Sequence, residues 1–180
     1  TILFVLLSLS LQFAYGQGSR YSGTYTKSSP LKYSGKSNFT IEGVEITGND
    51  QHCIILENCE NVVIKNSKLM QTTSKRGVYL FKCKNITVTD CTLENLHSGL
   101  LAEHSQGIKF DRNDVLNIRG TSTGATNLGN MIQFTSVTGE GNSVSYNVCE
   151  NLPNQSAPED IINLYGSTGT SSSPLIVKGN

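Results

Sequence analysis

Polar residues capable of acid–base or charge-pairing chemistry recur at one position of this sequence, just before short apolar runs. The pairs are Gln51-His52, Lys75-Arg76, His97-Ser98, Gly129-Asn130 and Glu159-Asp160. A lysine or a histidine in such a set could take a proton from a carbon of a sugar acid, while a neighbouring arginine neutralises the carboxylate. The sequence therefore offers Lys75 or His97 as a base and Arg76 as a carboxylate partner.

Two other interpretations of the same residues stay open. Glu159 and Asp160 could bind a hard cation such as calcium through their carboxylate oxygens. Alternatively, all of these side chains are polar only because turns are exposed to water, since perturbed environments cannot be read from a sequence. His52, His97 and His104 lack the spacing of a helical metal motif.

The apolar runs belong to a repeat that positions these pairs. Asn38–Ile46, Asn61–Leu69 and Asn85–Leu93 each open with Asn, alternate apolar with polar residues and recur after 23 and 24 residues. A period this short, made of strands and turn residues without a helical pattern, is typical of stacked coils. The sequence predicts an all-β parallel β-helix of about five coils, covering 38–180 and incomplete at its C-terminus.

Alternation within each copy also predicts which residues point inward. Two inward columns follow, namely Phe39, Val62, Ile86, Ile108 and Ile41, Ile64, Val88, Phe110. We expect Phe39, Ile41, Ile64, Val88 and Phe110 to be buried in stacked parallel rungs.

Two long insertions, Ile118–Leu128 and Leu152–Pro158, fall at the same place in the repeat. Equivalent insertions in a solenoid emerge on one face, which is often the binding face. We therefore expect a cleft there, beside the polar pairs. An outward stripe of Ile55, Tyr79 and Leu101 runs beside it; either the insertions cover this stripe, or Tyr79 offers a stacking surface for a sugar ring.

The repeated asparagines Asn38, Asn61 and Asn85 resemble the turn asparagine ladder of right-handed parallel β-helix proteins in the pectate-lyase-like superfamily. Their side-chain amides would stack and bond to one another. The resemblance extends over nearly everything after Lys32, and it implies a protein that acts on or binds polysaccharide, such as a polysaccharide lyase or a glycoside hydrolase. Lys75 and Arg76 are similar to the Lys and Arg that some lyases of this superfamily pair with calcium ligands.

Other features of the superfamily are missing. Its polygalacturonase-like members carry paired aspartates and a Gly-His-Gly segment, which this sequence lacks. No catalytic residue is transferred by motif. A non-catalytic glycan-binding, adhesion or structural β-helix is thus the alternative to an enzyme.

The N-terminal segment differs in character from the repeats. Residues 1–16 contain the apolar run Ile2–Phe13 followed by Ala14-Tyr-Gly16, which fits part of a signal peptide and predicts a secreted or extracytoplasmic protein. The run is too short for a membrane span of about 20 residues. Residues 17–37 are expected to form a lead-in with a partial first coil, in which Leu31 and Tyr33 match Ile54 and Leu56.

Composition and charge limit the classes of partner that are expected. Lys and Arg together number 14, and Asp and Glu together also number 14. The net charge is therefore zero, and the charges are scattered along the chain. Neither a nucleic-acid groove nor a membrane-binding basic face is expected. The 5 cysteines are favoured as free thiols in the core, because Cys59 and Cys83 point the same way on adjacent rungs.

Overall fold

The computed structural model describes residues 23–120 and 129–180, which form three parallel sheets wound into about six coils. The predicted residues 1–16, part of the lead-in and most of the Ile118–Leu128 insertion lie outside the described residues. Within those two ranges there are strands and no helix, and hence no helix long and apolar enough to cross a membrane.

Each coil contributes one strand to sheet A, then one to sheet B and one to sheet C. The first three coils are β1 (Thr26–Ser28), β2 (Leu31–Ser34), β3 (Ser37–Glu42); β4 (Val44–Gly48), β5 (Ile54–Glu57), β6 (Glu60–Lys65); and β7 (Lys68–Gln71), β8 (Val78–Phe81), β9 (Lys84–Thr89). The next three are β10 (Thr92–Glu94), β11 (Leu100–Glu103), β12 (Gln106–Asp111); β13 (Asp114–Leu116), β14 (Asn130–Thr135), β15 (Ser143–Ser145); and β16 (Val148–Glu150), β17 (Asp160–Tyr165), β18 (Ile176–Lys178).

Strands pair only with the equivalent strands of the coils before and after, and the predicted registers are confirmed. Ile41 lies opposite Ile64, which lies opposite Val88, and that residue lies opposite Phe110. These four side chains are buried, whereas Phe39 is half-buried in the first coil, 4.9 Å from the ring of Tyr33. In the lead-in, Leu31 and Tyr33 pair with Ile54 and Leu56 as expected.

The break within each repeat copy proves to be a corner between sheets C and A, so a coil has three strands. At this corner Gly43, Asn66 and Asp90 have φ values of 65°, 49° and 52°. The left-handed region is open to Gly and tolerated by Asn and Asp, which explains these residue types. What the sequence pattern treated as one strand is therefore two, separated by a single left-handed residue.

The predicted asparagine ladder is present at the start of sheet C. The Asn61 amide donates to Asn38 Oδ1 and the Asn85 amide donates to Asn61 Oδ1, both at 3.0 Å. All three residues are exposed and have positive φ. The ladder ends at Gly107, where a Cβ would lie 2.6 Å from Asn85 Oδ1.

A second asparagine column, which the sequence analysis missed, lies just after the corner between sheets C and A. Asn147 Oδ1 accepts the backbone N–H of Asn113 at 2.9 Å, and its amide donates to the carbonyl of Phe110 at 2.8 Å. Asn180 makes the equivalent bonds to Asn147 and Val144, at 3.0 and 2.9 Å. Asn113 and Asn147 are buried, so these amides replace water for backbone groups inside the coil.

The five cysteines are free, as favoured above, and four of them are buried. Burial raises the pKa of Cys53 and Cys149 to about 11 and that of Cys91 to about 12. These three thiols are therefore protonated at neutral pH and behave as small core side chains.

Candidate functional site

The predicted polar column lies where the chain passes from sheet A to sheet B, and its alignment holds along the stack. The backbone N–H groups of Cys53, Gly77 and Gly99 donate to the carbonyls of Arg76, Ser98 and Asn130 at 3.0–3.1 Å. Glu159 N donates to Gly129 O at 2.7 Å, which extends the column to the last coil. Both long insertions begin and end at this edge, between β13 and β14 and between β16 and β17.

These insertions are not the only long connections in the described chain. Residues 166–175 join β17 to β18 at the edge between sheets B and C. In the last coil, long connections therefore occur at two edges of the solenoid. The loops beside the polar column still mark that edge, but they do not single it out.

Three side chains of the column accept hydrogen bonds from backbone N–H groups of the next coil. His52 Nδ1 accepts the N–H of Arg76 at 3.0 Å, and Ser98 Oγ accepts that of Asn130 at 3.2 Å. Asn130 Oδ1 does the same for Asp160 N at 3.2 Å. A polar residue here is thus explained in part by structure, because it satisfies a turn donor that no strand pairs.

Arg76 is the exception in this column, because a guanidinium has donors and no acceptor. Its side chain is half-buried, and its Nε is buried without a hydrogen-bond partner. Burial lowers the pKa of Arg76, while the nearby Glu103 and Tyr79 act in the opposite direction. Arg76 is therefore a partly desolvated cation whose buried Nε has no partner, whereas His52, Ser98 and Asn130 each accept a backbone N–H.

Tyr79 and Glu103 adjoin Arg76 on the outer face of sheet B. The Tyr79 hydroxyl donates to Glu103 Oε2 at 2.7 Å, and the Tyr79 ring lies 5.6 Å from the ring of His52. Burial and the Glu103 carboxylate raise the pKa of Tyr79 to about 12, so the phenol keeps its proton. The sequence analysis missed Glu103; its signal was the outward position at the end of an apolar run on the next coil.

Both histidines of the cluster are neutral near pH 7. Burial, followed by the charges of Arg76 and Lys75, lowers the pKa of His52 to about 4. Burial and Arg76 also lower the pKa of His97, whose Nδ1 lies 2.8 Å from Ser98 Oγ. Because His52 Nδ1 is an acceptor, its ring proton is on Nε2, so His52 offers a donor rather than a base.

The structure brings together Lys75, Arg76, His97 and Tyr79, but Glu159 and Asp160 lie farther along the stack. Asp160 is three rungs from Arg76, which corresponds to about 14 Å at 4.8 Å per rung. Both acidic residues are exposed, and the Asn163 amide donates to Asp160 Oδ2 at 3.1 Å. In the described part of the chain, no three His, Cys, Asp or Glu side chains converge as a metal site requires.

The outward stripe on sheet B is largely covered. Leu101 is 6% exposed, and Ile55 and Tyr79 are half-buried. Their register is as predicted, with Ile55 opposite Tyr79 and Tyr79 opposite Leu101. Tyr79 therefore presents part of its ring beside Arg76, within an apolar surface.

Comparison with known proteins gives one family. The sequence model of the family described as "Right handed beta helix region" matches residues 20–180. No curated protein matches the sequence.

Proposed function

The chain belongs to the right-handed β-helix family, and from this premise we propose that it is an exported protein that binds an acidic polysaccharide beside Arg76. Export rests on the sequence of residues 1–16, which resembles part of a signal peptide. The polysaccharide rests on the side chains gathered where sheet A passes into sheet B.

The observation that carries the proposal is the half-buried guanidinium of Arg76. Its Nε is buried without a partner, although buried polar groups are normally paired. A carboxylate matches the fork of an arginine and would pair with the terminal nitrogens of this half-buried guanidinium, because the buried Nε itself is closed to a ligand. An acidic ligand is therefore the chemical class that completes this site.

Neighbouring side chains supply the other contacts that a sugar acid needs. Lys75 adds a second cation, half-buried and next in sequence to Arg76. Tyr79 offers a ring edge and face, and Glu103 an acceptor for sugar hydroxyls, since its carboxylate already accepts from a hydroxyl at 2.7 Å. Aromatic surface beside hydrogen-bonding groups suits the amphipathic ring of a sugar.

A second candidate is cleavage of the bound polymer by β-elimination. The observation favouring it is that the pKa of His97 is lowered, which leaves a neutral imidazole beside Arg76. His97 would take the proton from the carbon next to the carboxylate that Arg76 neutralises. The freed electron pair would form a carbon–carbon double bond as the carbon–oxygen bond to the next sugar breaks, and the leaving oxygen would take a proton from water. Lys75 is the other basic group within this cluster. A non-catalytic glycan-binding or adhesion module would need only the binding contacts of Arg76, Lys75 and Tyr79, without proton transfer by His97.

The binding proposal is tested by replacing Arg76 in the full-length protein. With polygalacturonate as the probe, Arg76→Gln should weaken binding about tenfold, because a charge-assisted bidentate contact is lost. Arg112→Gln is the matched control: it removes the same charge from an exposed pair with Asp90 at another corner. Binding that is equal in wild type and Arg76→Gln, measured by calorimetry, would refute this site.

Cleavage is tested separately by following the ultraviolet absorbance of the unsaturated product. The triple change of Lys75, Arg76 and His97 to Ala should abolish any such activity. His97→Gln alone should abolish cleavage while leaving binding measurable, because it removes the base and keeps the cations. An activity that survives the triple change would place the chemistry elsewhere.

A further inference from the structure

An aromatic path crosses the outer face of sheet B from one edge to the other. It begins at His52, whose ring lies 5.6 Å from Tyr79 with 45° between the planes. Tyr79 and Phe81 are two residues apart on β8 and so share the outer face. The path ends at His104, which meets Phe81 edge-on with the ring centroids 6.0 Å apart.

Cations lie at both ends of this aromatic path. Lys75 and Arg76 precede β8, while Lys82 and Lys84 follow it. Lys82 Nζ is 5.1 Å from the centroid of Phe81, and both lysines are exposed. Extended backbone from Arg76 to Lys82 spans about 20 Å at 3.3 Å per residue. Two positive ends are thus separated by the rings of Tyr79 and Phe81, with the Glu57 and Glu103 carboxylates on the strands either side of Phe81.

The far end of the path contains a groove of its own. Its volume is about 410 Å³, and Lys82, Lys84, His104 and Gln106 line it. Lys84 forms only an exposed pair with Glu60, at 3.5 Å. Since an exposed pair contributes little, the Lys84 ammonium is available to another anion.

The direction along the solenoid axis is less suited to an acidic chain. From Arg76 the same column leads to Ser98 and Asn130, which are buried, and then to Asp160. Glu159 and Asp160 are exposed at that end and would repel a second acid group. An acidic ligand that runs along β8 therefore meets cations at both ends of the strand and the Glu57 and Glu103 carboxylates beside its middle, whereas one that runs from rung to rung meets cations at one end only.

We propose that the path from Arg76 to Lys82 binds an anionic oligosaccharide lying along the strands of sheet B, with one acid group at each cationic end. This deepens the proposed function and rests on it. The sugar rings lie on Tyr79 and Phe81, and Glu57 and Glu103, which flank Phe81 in register, accept from hydroxyl groups. Binding strength then depends on ligand length, because a short oligomer reaches only one end.

The experiment uses the full-length protein and galacturonate oligomers of increasing length. Lys82→Ala with Lys84→Ala should leave short oligomers unaffected and weaken the longest about fivefold, the loss expected for two exposed charge contacts. Lys27→Ala with Lys109→Ala removes the same charge from exposed positions on sheets A and C and should weaken neither. Phe81→Leu should weaken long oligomers about threefold by removing ring stacking.

Three outcomes distinguish this inference from the proposal beneath it. Loss of long-oligomer affinity in the Lys82–Lys84 variant, but not in the Lys27–Lys109 variant, supports the path along β8. If Arg76→Gln weakens every oligomer while the Lys82–Lys84 variant binds as the wild type does, the path is refuted and the Arg76 site stands. If the wild type binds no acidic oligomer of any length, both are refuted.

Discussion

Two columns of asparagine run along this solenoid, and they differ in their surroundings rather than in their chemistry. Asn38, Asn61 and Asn85 bond amide to amide in water, at left-handed backbone positions. Asn113 and Asn147 lie inside the coil and bond to backbone groups that have no access to water. Stacked asparagines are therefore not one device: the exposed column fits a backbone conformation, and the buried column replaces solvent.

The largest expected effect is at the centre of the buried column. Asn147→Ala leaves the buried Asn113 N–H without its acceptor, and it removes one hydrogen bond from the Phe110 carbonyl. At about 1–3 kcal/mol for an unpaired buried group, and with the lost bond to Phe110 added, the free energy of unfolding should fall by about 3 kcal/mol. Chemical denaturation measures this difference. Asn147 has no positive φ, so the loss of side-chain bonds is the main cause.

The exposed column should tolerate loss of its amide far better. Asn61→Ala is expected to cost about 1–2 kcal/mol, mainly because alanine is strained at the φ of 56° found there. Asn61→Gly also removes the side-chain amide, but glycine adopts this left-handed conformation without strain. This variant should therefore cost only about 0.5 kcal/mol. If both variants lost as much stability as Asn147→Ala, the distinction between the two columns would be wrong.

A pH-dependent effect is expected at His52, in the mixed polar column between sheets A and B. Its folded pKa of about 4 lies below the ordinary 6.5, so neutral His52 stabilises the fold fully above about pH 6.5 and loses this contribution as pH falls toward 4. His52→Asn keeps an acceptor for Arg76 N–H but does not titrate. Lys75, Arg76 and His97, which face this ring, are unchanged in the variant.

The measurement is the melting temperature of both proteins between pH 7 and pH 4. The wild type should lose more stability than His52→Asn over that interval, with the difference growing as the solution becomes more acidic. His97 is present in both proteins, and because its charge is one of the causes that lower the pKa of His52, the difference between the two proteins includes this coupling. Parallel melting curves at all pH values would show that His52 titrates normally.

Much of the fold was predictable because one face of every strand is buried. Period-2 alternation fixed the inward columns, and the repeat length aligned Arg76 with Ser98 without any structure. The sequence pattern did not reveal the buried asparagine column, because its members lie on successive coils but are separated by more residues than the regular repeat. Asn113, Asn147 and Asn180 are separated by 34 and 33 residues, since long connections lengthen those coils.

The candidate site was predictable in part for the same reason. Alignment placed Lys75, Arg76 and His97 on adjacent rungs, where the structure also has them, and Tyr79 on the outer face. Alignment could not show that the side chains of His52 and Ser98 accept hydrogen bonds from backbone N–H groups, because such bonds depend on side-chain rotamers. Glu159 and Asp160 were correctly aligned, but distance along the stack separates them from Arg76.

The pairing of each strand with its equivalent one coil away also bears on how the chain reaches this fold. Ile41 lies opposite Ile64, and Ile64 lies opposite Val88, at nearly constant separations in sequence. Closing each of these early coils therefore carries a similar entropic cost, and a completed coil offers three strand edges as the template for the next. The solenoid is expected to grow by addition of coils as the polypeptide emerges during synthesis, with the interior coils opening last when it unfolds.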